Sequence, residues 1–115
     1  MATVFNEIDR VAGDPLTSVV VSITLSWDTD EQAIATSASN DVMIRGTYGT
    51  EVDGDGRWSV DLVSNDDILP VDSVYKIVER ETPTGESYTY YISVPNNATP
   101  TFFVGDILTT APSWV

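Results

Sequence analysis

Histidine and cysteine are both absent from this 115-residue chain, so the side chains able to do chemistry are carboxylates, tyrosines and serines. That excludes serine and cysteine triads with a histidine base, most zinc sites and thiol redox chemistry. No glycine-rich phosphate or dinucleotide fingerprint occurs. The remaining catalytic candidates are carboxylates: Asp28, Asp30 and Glu31 in "DTDE", and Asp66 and Asp67 in "NDD". A glycosidase needs two such groups at a set separation across a cleft. With 18 acidic residues some pair meets the distance by chance, and both groups sit among turn formers. Loop solvation accounts for them, and neither a catalytic residue nor a cofactor is expected.

The stretch "EVDGDGRWSVDL" raises the question of a cation. Setting Glu51, Asp53 and Asp55 at positions 1, 3 and 5 of an EF-hand loop places Gly56 at the obligatory glycine. Position 12, which needs a bidentate glutamate, falls on Leu62. The flanks alternate like strands, so a turn is expected here and no metal site.

The elements that would position these groups are strands. In "TSVVVSITLSW" Val19, Val21, Ile23, Leu25 and Trp27 share one face. "AIATSA" is a short weak run, and "DVMIRGTYGTEV" a longer strand with Gly46 and Gly49 as bulge signals. "RWSVDL" puts Trp58, Val60 and Leu62 on one face, and the Asp-Gly pairs before it predict a hairpin. "SNDDILP" predicts one short helical turn with Asn65 or Asp66 as cap. "VYKIVER" and "SYTYYISV", joined by "ETPTGE", predict a second hairpin with Tyr88, Tyr90, Ile92 and Val94 on one face. "TFFVGDIL" supplies a last strand. About seven short strands without a helical period predict an all-β fold, an antiparallel β-sandwich of immunoglobulin-like or transthyretin-like type.

One domain suffices at this length. The expected division is an N-terminal arm over 1–13, a sandwich over 14–108 and an irregular tail over 109–115. The arm, with Val4, Phe5 and Ile8, could act as a docking segment. Trp27, Trp58, Tyr88 and Tyr90 are expected in the core, whereas Tyr91, Phe102, Phe103 and Trp114 are harder to bury. Adjacent Phe102 and Phe103 must point to opposite faces, so one needs a cover that a subunit interface would provide. The expected interface residues are Val4, Phe5, Phe102, Phe103 and Trp114.

Eighteen acidic against five basic side chains give a net charge of −13. Such a surface repels phosphate, so neither nucleic acid nor an anionic membrane is an expected partner. "MATVFNEIDR" carries no secretion signal and no later run is long enough to span a bilayer. "NAT" at Asn97 to Thr99 matches the glycosylation pattern, which occurs often by chance.

Taken in order, "GRWSVDL", "NDD", "YKIVE" and "YYISVP" over residues 42 to 108, with a "GDPL" lead-in at Gly13 to Leu16, resemble a β-sandwich domain of bacteriophage tail-fibre and minor tail proteins, often those of actinobacterial hosts. The resemblance implies a non-enzymatic virion structural protein, assembled in the host cytoplasm. It would dock on tail, baseplate or capsid proteins and form a homo-oligomer, with a trimer around a fibre axis as the implied state. In that family the domain precedes a shaft or receptor-binding tip, while this sequence ends at "APSWV", which also suits a capsid decoration protein or tail adaptor. A carbohydrate- or host-surface-binding module of the same fold is the reading from another class, and it requires aromatics clustered on an exposed face.

Overall fold

The computed structural model describes residues 1–39, 41–96 and 101–115. The "NAT" stretch therefore lies outside the described residues. The fold is all-β, with eleven short strands among the described residues: β1 (Ala2–Glu7), β2 (Val19–Ser26), β3 (Ala35–Ser37), β4 (Met43–Ile44), β5 (Thr47–Glu51), β6 (Arg57–Leu62), β7 (Ile68–Leu69), β8 (Val74–Glu81), β9 (Ser87–Ile92), β10 (Thr101–Phe103) and β11 (Leu108–Thr109). They form a five-stranded sheet in the order β11-β9-β8-β2-β5, a three-stranded sheet β10-β1-β6 and a small sheet β4-β3-β7. One apolar cluster joins all three: Val4, Trp58 and Leu62 from the three-stranded sheet, Val21, Ile23 and Ile77 from the large one, Ala35 and Ile68 from the small one. The expected sandwich is present, and among the described residues one pair, β1 with β10, is parallel and the others are antiparallel.

Strand alternation fixes which side chains enter the core. Val19, Val21, Ile23 and Leu25 of β2 are buried, and so are Trp58, Val60 and Leu62 of β6. Each such side chain contributes roughly 1.5–3 kcal/mol through apolar burial. Trp27, just past β2, is half-buried, with its indole N–H donating to the Gln32 carbonyl at 3.0 Å. Along β9 burial rises from exposed Ser87–Thr89 to buried Tyr91 and Ile92. Tyr88, expected in the core, falls on the uncovered end and is 62% exposed, whereas Tyr91 is buried.

Four strands exceed the reading from sequence. Gly46, at φ +105°, divides the long strand expected over 41–52, sending β4 into the small sheet and β5 onto β2. A 3-10 turn at Val104–Asp106 likewise splits the last strand into β10 and β11, which join different sheets. The segment expected as an arm over 1–13 is corrected most. Its residues Ala2–Glu7 form the central strand of the three-stranded sheet, with Ala2 and Val4 fully inside the core.

The Asp-Gly stretch turns the chain as expected, but its two strands do not pair with each other. Asp53 Oδ1 accepts from the amides of Asp55 and Arg57 at 2.8 and 3.1 Å, and the Asp53 amide donates to the Arg57 carbonyl at 2.9 Å. From this corner β5 runs back along β2 while β6 crosses to the other sheet beside β1. The β8–β9 hairpin is formed as expected, in register from Tyr75 opposite Ile92 to Arg80 opposite Ser87.

Candidate docking face and acidic cleft

The register of the three-stranded sheet places Thr3, Phe5 and Glu7 of β1 on its outer face, beside Asp61, Ser59 and Arg57 of β6 and Thr101 and Phe103 of β10. Phe5 and Phe103 are direct cross-strand partners, with ring centroids 5.9 Å apart and planes tilted by 41°. The Arg57 guanidinium lies 4.4 Å from the Phe5 ring centre, a cation–π distance. The Phe103 ring lies over Gly105, where a Cβ would collide with it. Phe103 is 40% exposed, and Thr3 Oγ1 donates to Asp61 Oδ1 at 2.6 Å beside the group.

Of the five expected interface residues, the fold gathers two on this face. Val4 is fully buried in the chain's own core and offers nothing to a partner. Phe102 points inward against the core, so the expected opposition of Phe102 and Phe103 holds. Trp114 is elsewhere, half-buried with its indole N–H donating to Ser26 Oγ at 2.9 Å.

Among the loop carboxylates Asp28 and Asp66 hold backbone amides and Asp67 holds serine hydroxyls. Asp28 Oδ1 accepts from the Asp30 amide at 3.0 Å, and the Asp28 carbonyl accepts from the amides of Glu31 and Gln32. Asp66 Oδ2 accepts from the Asn96 amide at 3.0 Å. Asp67 Oδ2 accepts from Ser37 Oγ and Ser39 Oγ at 3.0 and 2.9 Å, and these hydroxyls, Ser39 foremost, hold its carboxyl below the usual carboxylate value. Asn65 is not a cap: the 3-10 turn at Asn65–Asp67 is preceded by Ser64, which makes no capping hydrogen bond, and the Asn65 side chain reaches across the molecule instead.

A second site lies between the sheets. The inward positions of β8 run Tyr75, Ile77, Glu79 and Glu81, so the row that begins apolar ends acidic. Glu79 is only 7% exposed, and its Oε2 accepts from the Trp58 indole N–H at 2.6 Å and from Asn6 Nδ2 at 2.8 Å. The Tyr90 hydroxyl is buried and finds no hydrogen-bond partner among the described residues; burial first, then the Glu79 charge, raises its pKa far above the ordinary tyrosine value. Beside Glu79 an open cleft of about 520 Å³ is walled by Asn6, Ile8, Arg10, Leu16, Glu81 and Tyr88, with Arg10 4.0 Å from Glu81. Glu79 entered the sequence reading only as the last position of a strand motif. Counting by twos from Tyr75 and Ile77 would have put it on the core face.

No protein-family model matches the chain, and no curated protein is significantly similar to it in sequence.

Proposed function

We propose that this chain is a non-enzymatic structural domain of a phage virion, a tail- or fibre-type attachment module that docks on a neighbouring virion protein and assembles with copies of itself as a trimer. The observation that carries the reading is the Phe5–Phe103–Arg57 group on an open sheet face. Aromatic side chains and arginine dominate the energetic centres of protein interfaces, and rings held in place lose little entropy on binding. The strand-and-turn series that resembles phage tail domains supports the same assignment. A glycan-binding reading is less well served, because two rings tilted by 41° with an arginine over one do not make a single flat stacking platform.

Light scattering over a range of protein concentrations tests the proposal. The unaltered chain should give a trimer mass, and Phe103→Ser should shift it to monomer while circular dichroism retains the β signature. A monomer at every concentration that also fails to bind isolated virions would overturn the docking reading.

A further inference from the structure

We infer that the acidic cleft at the end of the β8–β9 hairpin is a receptor for one lysine side chain, presented by the protein on which the domain docks; this rests on the docking reading above. Buried carboxylates are ordinarily paired with a cation. Among the described residues the ion pairs are Arg10 with Asp14 at 3.1 Å and Arg10 with Glu81 at 4.0 Å, so Glu79 has none. Both neutral donors, Trp58 and Asn6, bond to its Oε2, and Oε1 accepts no hydrogen bond from any described residue. A nine-tenths buried carboxylate thus presents one free oxygen to the cleft.

The shape of the cleft suits an extended aliphatic stem with a charged tip. Its outer part is wide, and beside it a narrow pocket of about 60 Å³ is enclosed by Ile8, Leu16, Val19 and Tyr88 together with Glu79 and Glu81. Lysine buries its methylenes against apolar walls while its ammonium seeks oxygen. A single free oxygen favours the compact ammonium over the guanidinium fork, which gains most from a carboxylate offering both oxygens. Glu7 and Asp9 line the cleft with Arg10, whose charge is met by Asp14 and, at 4.0 Å, by Glu81; the carboxylates still outnumber it, and the net charge of −13 steers a basic segment toward the cleft.

The indole N–H of Trp58 reports on the site because it bonds to Glu79 directly. The experiment titrates the ¹⁵N-labelled full chain at constant ionic strength with Nα-acetyl-lysine methylamide, and in parallel with the norleucine and arginine counterparts. The lysine probe should shift the Trp58 indole resonance saturably and leave that of Trp114 in place, the norleucine probe should not, and arginine should bind more weakly. Glu79→Gln should abolish the shift. Glu81→Gln and Tyr88→Ala, at the accessible rim, should each weaken binding several-fold and decide the matter if Glu79→Gln does not fold. No saturable Trp58 shift up to about 50 mM, well above the millimolar affinities of single-contact ligands, would overturn the inference. So would tighter binding of arginine, or affinity unchanged in both rim variants. Failure of the docking reading appears separately, in the mass and virion-binding measurements.

Discussion

At the scale of single residues, Asn65 carries more of the structure than any loop carboxylate. It is 2% exposed; its Oδ1 accepts from the Val94 amide at 2.6 Å, its Nδ2 donates to Ser73 Oγ at 3.2 Å, and its own amide donates to the Val94 carbonyl at 2.8 Å. The side chain thereby ties the turn after β6 to the strand end after β9, both inside the sandwich. Asn65→Ala strands the Val94 N–H in a dry environment, and an orphaned buried donor costs about 1–3 kcal/mol beyond the lost bonds. The variant should unfold at lower urea with an unchanged m-value and a loss of about 3 kcal/mol. A loss below about 1 kcal/mol would mean that water replaces the amide. Its neighbours in sequence suggest a helix cap, and nothing local marks Val94, 29 residues away, as its partner.

At the scale of elements, the corner between β5 and β6 decides the topology. Gly56 sits there at φ +74°, and a Cβ would come within 2.6 Å of the Ile8 carbonyl oxygen and 3.0 Å of that of Leu16. Gly85, in the β8–β9 turn, has nearly the same φ of +73° with open space around it. Gly85→Ala should therefore cost about 1 kcal/mol through the backbone conformation alone. Gly56→Ala should cost at least about 2 kcal/mol more, because backbone must move to admit the methyl. Equal losses by thermal denaturation would refute the close approach. The periodicity of β2 and β6 was legible in the sequence because each alternates over six or more residues, and the β8–β9 turn because Pro and Gly stand between two runs rich in β-branched and aromatic residues, although β8, "VYKIVERE", does not itself alternate. Sheet membership was not. Asp53 forms the same local hydrogen bonds whether the strands beside it pair or part, and β1 lacks a strong alternation after Val4 while its β10 neighbour lies almost a hundred residues along the chain.

At the scale of the whole molecule, charge is the dominant feature. With a net −13 and both ion pairs among the described residues made by Arg10, repulsion within the folded chain is little offset. At about 0.01 M salt the screening length is roughly 30 Å. That exceeds the radius of gyration of 14.7 Å, so nearly all the charges interact. Raising sodium chloride to about 0.5 M should stabilise the domain, lifting Tm by roughly 4 °C for each kcal/mol of repulsion removed. A fall in Tm would show that specific ion pairs outweigh the collective repulsion.

The parallel pairing of β1 with β10 also governs how the domain meets mechanical load. Thr3, Val4 and Phe5 lie level with Thr101, Phe102 and Phe103, one strand from each end of the sequence. A pull on residue 1 against residue 115 would first peel away the tail and the two-residue β11, and then draw β1 and β10 lengthwise past each other. Their cross-strand hydrogen bonds would then be strained together instead of opening one after another. The domain would yield at a higher force than if its terminal strands were antiparallel and opened like a zip, a useful property in any element that transmits tension through an assembly.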